Sequence, residues 1–145
     1  MKLIKPSVEI LDRIDWNINS NLYKEIERAG RICYKSEDRI TDSWTDKFIQ
    51  TLINKGHTAM LEHGTVYLKT DENNDLADKY VINRYSLVRW EHECGSRITT
   101  NYRVLYENNW LDDLQYLCEP TKYHEKRVSV RFICDRGISH KRFVA

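Results

Sequence analysis

The chain has no CxxC pair: Cys33, Cys94, Cys118 and Cys134 stand singly. That spacing provides no zinc-ribbon pairing and no disulfide framework of the secreted type, so reduced thiols are expected. There is no apolar run long enough to cross a bilayer, and the opening Met1-Lys2-Leu3-Ile4-Lys5-Pro6 has no signal-peptide apolar stretch. A cytoplasmic, membrane-free protein is the expectation. No charge sign dominates: 23 Lys and Arg stand against 22 Asp and Glu, for a net charge of +1, which disfavours a dedicated RNA- or DNA-binding module. Internal repeats and low-complexity linkers are also missing.

What is present suits one domain with a core. The 145 residues are 41% hydrophobic and 31% charged, a balance that excludes disorder. A chain of this length buries about 70% of its unfolded surface. Charge is uneven along it. Asp71, Glu72, Asp75 and Asp78 form an acidic stretch, whereas from Lys122 onward seven basic residues face two acidic ones. Basic surface beside a ligand site favours phosphates, although a solvated strand face has the same composition.

Periodicity predicts an edge strand or arm through residue 14 and a short helix over residues 21–29 that Gly30 ends. It also predicts a helix over residues 43–55, striped by Trp44, Phe48, Ile49, Leu52 and Ile53 and closed by Gly56. Thr41, Asp42 or Ser43 is placed to cap this second helix. Strands are expected over residues 65–68 and 99–106, and residues 80–90 fit helix or strand. A short amphipathic helix carries Trp110, Leu111, Leu114 and Leu117 and stops before Pro120. A buried strand over residues 128–133 puts Val128, Val130 and Phe132 on one face. It feeds a terminal helix capped by Asp135, with Ser139 and His140 in its first turn. Helices mixed with non-contiguous strands indicate an α+β fold.

The segment Gly56-His57-Thr58-Ala59-Met60-Leu61-Glu62-His63 places two imidazoles and a carboxylate around a small apolar centre. Its chemistry suits a heterocyclic cofactor, a metal, or an ordinary helix exit, and histidine is a natural proton carrier or donor to a ring. The segment resembles the Gly-His-Glu-Ser/Thr-x-x-Glu-His signature of the flavin-dependent thymidylate synthases. Three further stretches agree in order. Ala29-Gly30-Arg31-Ile32-Cys33-Tyr34-Lys35-Ser36 resembles the family's Ala-Arg-x-Ser/Cys-Tyr stretch, residues 129–133 its central strand, and Asp135-Arg136-Gly137-Ile138-Ser139-His140 the approach to its Arg-His-Arg motif. The resemblance covers residues 1–68 and about 126–140, and residues 70–125 read as an insertion within a single domain.

The resemblance implies the family's α+β fold, and a homotetramer with sites at subunit interfaces. It implies reductive methylation of deoxyuridylate (dUMP) to dTMP, with methylenetetrahydrofolate as carbon donor, FAD as hydride carrier and NADPH as the flavin's reductant. By position, His57 and Glu62 lie at the flavin, Cys33 near flavin or folate, and Lys141 near the substrate. Ala59 stands where the family often has Ser or Thr, so a hydroxyl contact is lost there and a backbone contact remains. The chain closes on Lys141-Arg142-Phe143-Val144-Ala145, where the Arg-His-Arg motif is expected. Because catalysis depends on preorganised cationic groups at the pyrimidine, little activity is expected from this chain alone and no catalytic residue is assigned. The alternative is a non-catalytic remnant that binds flavin or nucleotide, or that associates with a full-length synthase.

The remaining polar residues have plainer readings. His63, His92 and Cys94 lack a partner pair at zinc spacing, so a surface histidine and a packed cysteine are expected and no metal is assigned. Cys33, Cys118 and Cys134 have apolar sequence neighbours and are expected to fill core, and no Cys/His spacing supports a hydrolase. Trp90, Tyr102 and Trp110 are likewise expected in the core.

Overall fold

A computed structural model describes residues 5–11, 18–40, 45–71, 75–91 and 94–135. The fold is mixed α+β, and the chain divides into two compact units, residues 14–127 and residues 1–13 with 128–145. The expected caps at Thr41, Asp42 and Ser43, the terminal helix with Ser139 and His140, and Lys141 all lie outside the described residues.

The larger unit is built around a three-stranded antiparallel sheet. Its strands are β2 (Thr65–Thr70), β3 (Leu87–Glu91) and β4 (Gly95–Asn101), in the order β2-β4-β3. Val66, Leu68 and Thr70 of β2 lie opposite Thr100, Ile98 and Ser96 of β4, so these residues share a face. That face meets four helices: α1 (Ile18–Cys33), α2 (Thr45–Asn54), α3 (Leu76–Val81) and α4 (Tyr102–Glu107). Their buried Leu22, Ile26, Ile49, Leu52, Ala77, Tyr80, Tyr102 and Leu105 form one apolar cluster with Val66, Leu68 and Ile98. Hydroxyls on this face pair with each other, Thr70 with Ser96 at 2.6 Å and Ser86 with Thr100 at 2.8 Å. No polar oxygen among these four is left to bear an unmade bond.

The opposite face of β4 carries Arg97, Thr99 and Asn101, and residues 117–127 run across it as a strap. Cys118 N–H donates to Tyr67 O at 2.9 Å, Glu125 N–H to Thr99 Oγ1 at 3.1 Å, and Arg127 N–H to the Tyr67 hydroxyl at 3.2 Å. His124 is a buried residue of the strap. Its Nδ1 accepts from Thr121 N–H at 3.0 Å and its Nε2 bonds Leu68 O at 3.1 Å. A carbonyl only accepts, so Nε2 carries the proton and the imidazole is neutral. Arg97, also buried, donates to Cys94 O and Ser96 O and pairs with the Glu91 carboxylate across the β3–β4 hairpin.

Several local expectations change. α1 continues past Gly30 to Cys33, because this glycine serves close helix approach: the Phe48 ring stands 2.6 Å from where a Cβ would be. The strand expected over residues 99–106 stops at Asn101, whose side chain accepts from Val104 N–H at 3.0 Å and starts α4 instead. Residues 80–90 divide between α3 and β3. The amphipathic segment near Trp110 forms a 3-10 helix, Leu111–Tyr116. Tyr102 is buried, whereas Trp90, on the edge strand β3, is 63% exposed.

In the smaller unit, β1 (Ser7–Leu11) pairs antiparallel with β5 (Ser129–Ile133), placing Val8 opposite Phe132 and Ile10 opposite Val130. The shared face expected of Val130 and Phe132 is present, with Val8 and Ile10 opposite them, but the burial expected of the last strand is not found: Val128, Val130 and Phe132 are 71%, 38% and 56% exposed.

Asp113 is buried and accepts from the Tyr80 hydroxyl at 2.5 Å and from Lys79 Nζ at 2.7 Å. Burial first, and Asp113 second, raise the Tyr80 pKa, so the phenol stays a donor. Tyr80→Phe is expected to cost about 2 kcal/mol in urea unfolding, the range for losing a bond to a buried charge. Burial is also the main cause that lowers the His124 pKa from 6.5. The unfolded chain therefore takes up a proton below pH 6.5 that the folded chain refuses, and stability falls as pH drops through that window. His124→Gln should lower stability at pH 7.5 yet flatten its decline between pH 7 and 5, measured by unfolding at each pH.

Candidate cofactor site

The two most similar stretches to the flavin-enzyme signatures both sit at helix exits. α2 ends where Gly56 turns to φ +70°; Gly56 N–H bonds Ile53 O and His57 N–H bonds Leu52 O, each at 2.9 Å. This pair of reversed bonds is a Schellman stop, and it fixes the backbone of His57 just beyond the helix. α1 ends in the same way. Lys35 takes φ +52° with its N–H on Ile32 O, and Ser36 N–H bonds Arg31 O at 2.9 Å. Tyr34 is thereby fixed at the last residue before that reversal.

The two exits face each other. The Tyr34 hydroxyl is hydrogen-bonded to His57 Nδ1, with ring centroids 5.7 Å apart and planes inclined by 25°. Lys55 Nζ lies 5.7 Å from the Tyr34 ring centroid. Between the helices, Arg31 places its guanidinium 4.2 Å from the Phe48 ring and pairs with buried Glu27 at 3.0 Å, holding α1 against α2. The result is an exposed surface with a phenol, an imidazole and an ammonium at its centre.

After His57 the chain makes a 3-10 helix, Thr58–His63, whose only buried residue is Leu61. Glu62, on its exposed side, pairs with Arg103 Nη1 of α4 at 2.5 Å, and Arg103 Nε also donates to Glu107 at 2.7 Å. Glu107 and then Glu62 raise the Arg103 pKa further above its ordinary value. Thr58 Oγ1 reaches Glu107 at 3.4 Å. His57 and Glu62 are thus held by different partners, one by α1 and the other by α4.

Of the candidate residues, Cys33 is exposed on the last turn of α1 beside Tyr34, not core filler. Ala59 is exposed on the 3-10 helix and offers a methyl group, with no hydroxyl. Cys134 is also exposed. Tyr34, Lys55 and Arg103 were not singled out from the sequence as site residues. Tyr34 lies within one of the resembling stretches, so its signal was available; Arg103 is 41 positions from Glu62, and no local pattern links them.

A second Cys/His contact does not amount to a nucleophile. Cys118 Sγ stands 3.8 Å from His124 Nε2, but that nitrogen's proton is directed to Leu68 O. Burial pushes the Cys118 thiol up and the His124 imidazole down, so both stay neutral. Among the described residues no three His, Cys, Asp or Glu side chains gather to hold a metal, and no helix is long and apolar enough to cross a membrane.

Comparison of the chain with protein-family models, curated proteins and solved structures finds no match.

Gly56→Ala tests how the exit positions His57. Nothing stands within 4 Å of the added Cβ, so the cost is purely that of positive φ, about 1 kcal/mol. Urea unfolding should show that loss, and the His57 ring resonances should shift while those of His124 do not.

Proposed function

We propose that the chain is a flavin-dependent thymidylate synthase-like protein, with the family's α+β fold, that binds FAD at the surface around Tyr34 and His57. The observation that supports this reading is convergence. The stretch ending in Tyr34 and the stretch opening on His57 resemble two separate signatures of one family, and their side chains meet across 23 positions of sequence. Two loops that resembled these signatures by accident would have no reason to share a surface.

The residues present fit the cofactor's chemistry. A flavin offers a flat ring edged with carbonyl oxygens and a diphosphate; Tyr34 and His57 offer aromatic area and a hydrogen-bond donor, and Lys55 a cation for phosphate. FAD, when bound, supplies the hydride for the family's reductive methylation of dUMP to dTMP, with methylenetetrahydrofolate and NADPH as the other reactants. Within this chain His57 binds and orients the ring. Glu62, neutralised by Arg103, anchors the 3-10 helix to α4. Cys33 lines the approach, Ala59 contributes backbone, and Lys141 is assigned to the nucleotide. The proposed setting is a cytoplasmic homotetramer.

The second reading is a flavin- or nucleotide-binding protein that associates with a full-length synthase.

The test is to incubate the purified chain with FAD, desalt it, and record the flavin absorbance together with the mass in solution. Retained flavin is expected, and His57→Ala should weaken binding about tenfold, as for loss of one good hydrogen bond. A colourless native protein at saturating FAD, with His57→Ala indistinguishable from it, would sink the flavin reading.

A further inference from the structure

We infer that Tyr34 is the positioning residue of this site: its hydroxyl donates to Nδ1 of His57, fixes the imidazole as the Nε2–H tautomer, and so selects ligand groups that accept a hydrogen bond. The selectivity rests on the flavin reading above; the tautomer does not.

The inference starts from backbone placement. Tyr34 and His57 each stand at a helix exit whose two reversed hydrogen bonds leave the main chain little freedom. Both side chains are exposed, so no buried packing forces the rings together, and their polar contact joins the phenol oxygen to Nδ1.

Donor and acceptor chemistry then decides the proton positions. A neutral imidazole has one N–H and one bare nitrogen, and whichever nitrogen is engaged as acceptor leaves the other protonated. A phenol is a good O–H donor and a weak acceptor, because its oxygen lone pairs are delocalised into the ring. An sp² imidazole nitrogen is the stronger base of the two. The Tyr34 proton therefore points to Nδ1, and His57 presents Nε2–H outward. A hydrogen bond of ordinary net strength biases the tautomers by roughly fivefold.

The consequence is a polarity for the site. A donor fixed before the ligand arrives favours a carbonyl oxygen or an unprotonated ring nitrogen and disfavours a group that can only donate. Lys55, beside the Tyr34 ring, adds a second positive end on the same surface. Together they suit a carbonyl-edged heterocycle carrying an anionic group.

The experiment uses the full chain with 15N-labelled histidine, read by long-range 1H–15N correlation without ligand, and His57→Gln to assign the signals. The expected result is a His57 dominated by Nε2–H in the native chain and shifted by about fivefold towards a mixture in Tyr34→Phe. Because Tyr34 is exposed, this substitution leaves the fold intact, and unchanged His124 signals check that. A native His57 protonated mainly at Nδ1, or a tautomer ratio that Tyr34→Phe leaves unmoved, overturns the inference.

FAD binding is titrated separately. His57→Gln can carry an amide N–H to about the reach of Nε2, whereas His57→Asn reaches only about as far as Nδ1. Gln is expected to retain more affinity than Asn, and the reverse order overturns the acceptor selectivity. If the tautomer obeys Tyr34 but FAD binds to no variant, the positioning role stands and it is the flavin reading that fails.

Discussion

Every residue of β4 is buried, and apart from Gly95 and Ile98 every one of them is polar. A central strand of this kind is tolerable only if each polar side chain finds a partner, since a buried unpaired group costs more than the bond it would have made. The rest of the larger unit meets most of that demand, although Arg97 Nε is buried without a hydrogen-bond partner. β2 and β3 take the backbone groups and, with Thr70 and Ser86, two of the hydroxyls. The strap of residues 117–127 takes Thr99, and Asn101 starts α4. Residues 70–125, read as an insertion, supply the middle of this sheet and much of its helical cover. Whatever their ancestry, they are part of the core.

The candidate site hangs from that frame at second hand. α1 and α2 are held to the sheet by Leu22, Ile26, Ile49 and Leu52, and to each other by the Glu27–Arg31–Phe48 contact. Their lengths then determine where they stop, and their Schellman exits determine where Tyr34 and His57 emerge. The 3-10 helix that follows is anchored at its far end by Glu62 on Arg103, a residue of α4. Since the α4 cap comes from β4, the geometry of the exposed surface is continuous with the buried polar strand. The surface ion pairs themselves add little stability, because both partners remain partly solvated. Their effect is on orientation.

How far the sequence could be read depended on the range of the interaction. The stripe of α2 and its stop at Gly56 were legible because both are written within about a turn of helix. Strand β2 and the shared face of β5 were legible for the same reason. Gly30 misled because a glycine that permits close packing and a glycine that stops a helix look alike until Phe48 is placed beside it. Residues 102–106 misled because alternation in Thr, Tyr and Val suits a strand, while one cap from Asn101 turns the chain into helix. The exposure of Cys33, Cys134 and Trp90 likewise depends on which neighbours the fold puts near them.

The sequence by itself determined the α+β class, the helix and turn chemistry that sets His57 beyond Gly56, and the set of candidate residues. These depend on local propensity, periodicity and residue type, all of which act over a few positions. Only the tertiary structure decided that Tyr34 meets His57, that Glu62 belongs to Arg103, and that Cys118 and His124 are neutral neighbours within a strap laid on the sheet. Those are contacts across 23, 41 and 56 positions when the His124–Leu68 bond is included. They form because burying one apolar cluster brings distant segments together, and no local pattern records which of them will touch.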